Sequence, residues 1–269
     1  MILKRFLLFS LLMVAVRFTD AQNATDFKTV KYEDKSYEHP DYKLFIAGAF
    51  TRAEIMKVKI RIFNKTNQVI YIKPNEIEFT VNGKTLSGNE KPIAVQPNGD
   101  EMRVIDLKGL PDMRCNQFDV VLKGFYKVDP ATADVIKTDA TTVNGNSASA
   151  VSTSHFSCEP KATQTNKEKS FAKYSCVYTG DRIGIIEPGN TVAEMSTGKK
   201  NNNSYPRNEI FIMEKDVPQT ITIEFRKMPE TGDLTDGYRV LWQNVFKTGT
   251  ASAYEVKKTT VNMDPEKSK

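Results

Sequence analysis

Met56-Lys57-Val58-Lys59-Ile60-Arg61-Ile62 decides the fold class of this chain. In an extended backbone, Met56, Val58, Ile60 and Ile62 fall on one side, and Lys57, Lys59 and Arg61 fall on the other. That strict period of two belongs to a strand with one buried and one wet face, because successive side chains point in opposite directions. The cations are therefore expected on a solvated sheet face. A nucleic-acid partner is not expected, since that needs a clustered basic surface and the formal net charge is only +5 over 269 residues.

Working outward, Asn64-Lys65-Thr66-Asn67 supplies turn chemistry before the apolar run Val69 to Ile72. Pro74-Asn75 ends that run, and Ile77, Phe79 and Val81 resume the alternation up to the hairpin signal Asn82-Gly83. Ile93 to Val95 closes on Pro97-Asn98-Gly99. Met102, Val104, Ile105 and Leu107 change phase midway, which predicts a bulge or a twist in the strand. Phe118, Val120 and Leu122 give another strand. The same pattern returns in Tyr174, Cys176 and Tyr178, in Ile221, Ile223 and Phe225, and in Tyr238, Val240 and Trp242. Many short strands between Gly, Pro and Asn turns read as an all-β sandwich or barrel. Ile93 to Gly99 is faintly echoed by Ile185 to Asn190, as two related modules would require.

Lys4 and Arg5 followed by an apolar run from Phe6 to Val16 predict a secretory signal peptide over 1–21, cut between Ala21 and Gln22. The run is too short for a membrane anchor, which takes roughly 18 apolar residues. No later run reaches that length, so no transmembrane segment is expected in the mature chain. Residues 22–128 read as a β-sandwich module. Residues 129–170, rich in Ala, Thr, Ser and Asn, read as a flexible linker or insertion, because such a segment buries too little surface to offset its ordering entropy. Residues 171–256 form a second β module or complete the first, and 257–269 read as a polar, frayed tail.

Lys57-Val58-Lys59-Ile60-Arg61-Ile62-Phe63-Asn64 and the later Pro97-Asn98-Gly99 resemble the immunoglobulin-like β-sandwich domains of exported bacterial proteins. The resemblance implies an immunoglobulin-like β-sandwich, as two modules or as one elaborated sandwich with a long insertion. It carries no functional residue with it. The Cys…Trp…Cys core of antibody domains is absent, since the single tryptophan, Trp242, follows every cysteine.

Three cysteines, Cys115, Cys158 and Cys176, allow three pairings and leave at least one thiol unpaired in a monomer. Cys158–Cys176 is the favoured bridge, because it would tie a flexible segment to a strand. Only two histidines exist, His39 and His155, and neither has metal-ligand spacing to another histidine or cysteine. Gly-x-Ser-x-Gly and phosphate-cradling glycine loops are missing too, so no cofactor and no catalytic residue is assigned.

Glu230, Asp233 and Asp236 lie in one glycine-containing loop and could offer oxygen ligands to calcium; the simpler reading is an acidic hairpin turn. Tyr32, Tyr37 and Tyr42 recur every five residues among charges and could contact a ligand. Against that stands an irregular strand with its tyrosines packed on the sandwich edge. Residues 199–204 and 129–170 are the loops expected to carry recognition. The function expected is that of a non-enzymatic binding or structural protein of the periplasm or extracellular space, with an envelope protein or glycan as partner. The alternatives are a carbohydrate-binding module and a carboxylate-dependent glycoside hydrolase.

Overall fold

The computed structural model describes residues 23–205, 209–227 and 233–269, and over them the chain is all-β, with short 3-10 turns as its only helical pieces. No helix among the described residues is long and apolar enough to cross a membrane.

The first sandwich begins with β1 (Val30–Lys31), β2 (Lys35–Glu38), β3 (Tyr42–Arg52) and β4 (Ile55–Asn64). It continues through β5 (Val69–Ile72), β6 (Glu78–Val81), β7 (Lys84–Ser87) and β8 (Ile93–Val95). β9 (Asp100–Leu107), β10 (Gln117–Leu122) and β11 (Phe125–Val128) follow. One sheet runs β1-β3-β4-β9, with β2 also on β3. Against it lie β5 with β6 and β10 with β11, each pair a single strand broken in the middle. The breaks have local causes. Pro74 removes a donor and opens a 3-10 turn, and Gly124 sits at φ +74 with its Cα so near the Lys73 carbonyl that a Cβ would meet that oxygen at 2.6 Å.

The stretch that announced the fold behaves as its period demands. Met56, Val58, Ile60 and Ile62 are buried in the first core, while Lys59 and Arg61 are exposed. Of the bulge or twist expected near Met102, the bulge is not there, because β9 pairs with β4 without interruption from Met56↔Leu107 to Phe63↔Asp100. Its apolar residues simply occupy both faces. Ile105 and Leu107 are in the core, and Met102 and Val104 are exposed. The irregularity lies instead in β3, between Ala47 and Phe50, where Gly48 has φ +56.

The second sandwich opens with β12 (Asp134–Val135), β13 (Thr141–Asn144), β14 (Ser147–Ala148), β15 (Val151–Ser152) and β16 (Phe156–Thr165). These strands correct the reading of 129–170 as a flexible linker or insertion, since the segment is built of ordered strands. β16 forms a long antiparallel hairpin with β17 (Lys169–Tyr178), and neighbouring strands supply the burial that its small residues cannot provide alone. Cys158 and Cys176 stand directly opposite each other in that hairpin and are joined by a disulfide. Closing this loop contributes on the order of 3 kcal/mol under the chain-entropy model. The module continues with β18 (Ile183–Ile186), β19 (Val192–Met195), β20 (Lys200–Asn202), β21 (Phe211–Met213) and β22 (Gln219–Arg226). It ends with β23 (Tyr238–Leu241) and β24 (Phe246–Gly249).

The chain then returns to the first sandwich. After Thr250 alone, β25 (Ala251–Ala253) pairs with β11 and β26 (Lys257–Asn262) pairs with β10. The segment 257–269 is therefore no frayed tail. It is the closing strand of the first module, with Val261 fully buried, and Lys269 and Thr29 exchange backbone bonds at 2.6 and 2.9 Å. The second module, in turn, takes its equivalent strand from β12 and β13, which precede its other strands and pair with β24 and β23. It is a permuted sandwich inserted between the last two strands of the first. Each module sets a β3-β4-β9 or β16-β17-β22 sheet against the broken strands, which is the ABE-against-CFG order of immunoglobulin sandwiches.

Equivalent backbone bonds mark the repeat. Lys73 N–H donates to Gly124 O at 2.9 Å, and Glu187 N–H to Val245 O at 2.9 Å. Tyr254 N–H donates to Phe125 O at 2.9 Å, and Ile136 N–H to Phe246 O at 2.8 Å. The true internal echo is thus Ile72-Lys73-Pro74 with Ile186-Glu187-Pro188, and Phe118 to Leu122 with Tyr238 to Trp242. The match of 93–99 to 185–190 paired strands that occupy different places.

Continuous apolar runs mark where the modules meet. All four residues of β5 are buried, Ile70 and Ile72 in the first core, Val69 and Tyr71 in a seam with Ile185 of β18 and Val128 of β11. Ile186 and Met213 face the second core instead. Gly184 lacks a side chain because the Tyr178 ring lies where a Cβ would sit, 2.6 Å from Cγ. The Gln96 amide closes the seam, donating to Ile210 O at 3.1 Å and accepting from Ile210 N–H at 2.8 Å. Lys73 pairs with Glu214 across it at 2.7 Å.

Candidate interaction surface

The outward face of the β3-β4-β9 sheet follows from the same alternation that built its core. Phe45 and Phe50 on β3, Lys59, Arg61 and Phe63 on β4, and Met102 and Val104 on β9 all point away from the interior. Cross-strand register places Phe45 beside Arg61, Arg61 beside Met102, and Lys59 beside Val104. Phe45 and Phe63 meet edge to face at 5.8 Å, and Arg61 lies 4.5 Å from the Phe63 ring centre. Lys43 covers Phe45 at 5.0 Å and Arg52 covers Phe50 at 5.8 Å. Such exposed cation–π contacts are worth about 0.5–1 kcal/mol each. Arg61 pairs with Asp100 at 2.7 Å, and Lys57 with Asp106 at 3.1 Å. Met102 and Val104 remain 51% and 38% exposed at the sheet's rim, among the few large apolar side chains left to solvent.

The corresponding face of the second module is built around a buried carboxylate instead. Glu224 on β22 is almost wholly buried and holds Lys169 at 2.8 Å and Arg226 at 2.9 Å. Burial alone would raise its pKa, but the hydrogen bonds and charges of Lys169 and Arg226 outweigh it and hold the carboxyl below its ordinary 4.5. A carboxylate depressed in the folded state stabilises the fold above its unfolded pKa, and that contribution is lost as pH falls through the folded value. Glu224→Gln is therefore expected to lower the denaturation midpoint at pH 7. The gap from wild type should close between pH 4.5 and more acidic values. A gap that stays constant with pH would remove the ion pairs from the account.

The residues singled out in the sequence fall elsewhere. Tyr32 and Tyr42 are buried and do not form a ligand-contacting row with Tyr37. The Tyr32 hydroxyl donates to the Cys115 carbonyl at 2.9 Å, inside the core. Tyr42 lies under the His39 ring at 4.7 Å, and burial, with Tyr37 and Asp41 nearby, pushes its phenol up to about 12. A spacing of five does not put these residues on one strand; Tyr37 and Tyr42 belong to β2 and β3, on either side of a turn. Cys115 is the free cysteine, and burial raises its thiol.

Asp233 caps the short turn Leu234–Asp236, its carboxylate accepting from Thr235 N–H at 3.0 Å and Thr235 Oγ1 at 2.8 Å. Those bonds hold its pKa down without any metal. Glu230, Ala21 and Gln22 lie outside the described residues. Among the described residues no three His, Cys, Asp or Glu side chains converge as metal ligands.

Residues 199–204, expected as a recognition loop, are largely structural. Asn203 Oδ1 accepts Glu224 N–H at 3.1 Å, and Ser204 N–H donates to Glu224 O at 2.7 Å. The exposed face of the first module was visible in the sequence as Lys57, Lys59 and Arg61. What periodicity did not show is that Met102 and Val104 share that face at its rim. No protein-family model and no curated protein matches the chain.

Proposed function

We propose that this is an exported, non-enzymatic β-sandwich protein that works by presenting the β3-β4-β9 face of its first module to a protein partner in the periplasm or extracellular space. The single observation that carries the reading is the composition of that face. Aromatic, methionine and arginine side chains are enriched in protein interfaces, and Phe45, Phe63, Met102 and Arg61 stand together on one sheet surface. The cation–π contacts hold the rings in place, so little side-chain entropy remains to be lost on contact. The Cys158–Cys176 bridge supports export, since disulfides persist in oxidising compartments. The resemblance to immunoglobulin-like domains of exported bacterial proteins belongs to the same reading.

Capture from native envelope extracts with the mature chain, beside a Lys59→Glu/Phe45→Ser variant, tests it. A protein retained by wild type and reduced at least about tenfold by the variant is the expected result, as loss of a central contact costs more than about 1.4 kcal/mol. Equal recovery with both proteins, or recovery of glycan alone, would remove this face from the function.

A further inference from the structure

The edge of β9 is open where its counterpart is covered. In the second module the edge of β22 is closed by Asn201, Asn203 and Ser204, which bond the backbone of Arg226 and Glu224. In the first, Glu90 Oε1 accepts Asp106 N–H at 2.7 Å, and among the described residues nothing similar reaches the positions before it. Because Asp106 N–H points outward, alternation along the strand turns the N–H and C=O of Val104, Met102 and Asp100 outward as well. β9 pairs with β4 alone, so no strand among the described residues meets those groups. Beside them Met102 and Val104 expose apolar surface, and the buried Arg103 Nε has no partner among the described residues.

We propose that this edge pairs with the same edge of a second copy, antiparallel and centred on Met102, to form a symmetric dimer. The charges select both the partner and the register. Centred on Met102, each Glu101 stands opposite the Arg103 of the other copy, in two equivalent pairs related by the twofold axis. These fall at the close, non-hydrogen-bonded positions where cross-strand charge pairs act best. Centring on Arg103 would oppose two arginines, and centring on Val104 would require the Asp106 N–H that Glu90 already holds. Charged residues on an edge strand disfavour a neutral partner, which would desolvate them unpaired; they admit a strand bringing the opposite charge at the same height. Met102 then packs on its own copy, and Asp100 pairs with Val104. The dimer uses the edge of the strand and the proposed partner uses the sheet face, with Met102 at the border of both; sedimentation of the purified chain alone reads only the dimer.

Sedimentation of the purified mature protein, from about 1 μM to about 1 mM, tests the dimer over the range where a contact of this kind is measurable. Wild type should convert from monomer to dimer within that range. Glu101→Arg and Arg103→Glu should each weaken association at least about tenfold by setting like charges opposite each other. The double variant Glu101→Arg/Arg103→Glu should restore it. Met102→Asp, at an exposed position that leaves the core intact, should abolish it by placing two carboxylates face to face, and decides the matter if a charge variant folds poorly. A wild type that stays monomeric throughout, or a Met102→Asp protein that dimerises as wild type does, overturns the proposal. So does a folded double variant no better than the single ones.

Discussion

A chain ending at Gly249 will not fold its first module. The missing residues carry β25 and β26, and six successive positions of β26, Lys257 to Asn262, pair with β10. Without them Phe118, Val120 and Leu122 lose the strand beside them, and Val261 leaves the core altogether. The outermost residues matter as well. Asp264 N–H donates to Lys31 O at 2.8 Å and Ser268 Oγ accepts Lys31 N–H at 3.0 Å, so the C-terminal end also holds β1 in place. A domain of this size is stable by only about 5–15 kcal/mol. Exposing a strand's worth of apolar surface, at about 25 cal/mol per Å², together with a row of unpaired backbone groups, is of that order.

The second module should survive the cut, because its own closing strand, β12 with β13, precedes its other strands. The expected calorimetric trace is one transition carrying only the unfolding enthalpy of the second module, well below that of the full-length chain. Adding residues 250–269 as a separate peptide should restore the missing enthalpy. A truncated chain that melts like the full-length protein would show that the first module does not depend on its returning strand.

Tyr71→Ala should uncouple the two modules. Tyr71 is 3% exposed and sits in the seam between them with Val69, Val128 and Ile185. Burial, with Glu214 close by, holds its phenol protonated well above the ordinary range, so the ring enters the seam as a neutral group. Removing a buried aromatic ring of this size costs about 3–5 kcal/mol when the site cannot collapse. Here collapse is hindered because Gln96 and the Lys73–Glu214 pair keep the walls apart. The loss falls mainly on the contact between modules, since Ile70 and Ile72 still fill the first core. Calorimetry should then resolve two transitions where wild type, with its seam intact, is expected to show one. Val217→Ala, on a half-exposed side chain, serves as the comparison and should leave the trace unchanged. A single transition at the wild-type midpoint in Tyr71→Ala would mean the seam contributes little.

The corrections to the sequence reading share one cause, which is that burial came from partners far away along the chain. Residues 129–170 looked too poor in large apolar groups to order themselves, yet Val143 and Phe156 reach the second core once β23 and β17 lie alongside. Lys257-Lys258-Thr259-Thr260-Val261-Asn262 has a single apolar residue, and its pairing with β10 is set by backbone bonds that composition does not reveal. Tyr32 and Tyr42 read equally well as exposed or buried until the surrounding strands enclosed them.

By itself, the sequence determined the β character of the chain, the inward set on β4, β10, β17, β22 and β23, and the cationic face of β4. Each of these follows from a local period of two, and local sterics make that period readable from neighbouring residues. The tertiary structure alone decided that one sandwich is inserted in the other, that the two ends of the first module meet, and that among the described residues β9 has one bare edge while β22 is covered. Those features depend on which distant strand supplies hydrogen bonds to a given edge. Such pairing is selected by the shape and burial of the assembled chain rather than by any stretch read alone.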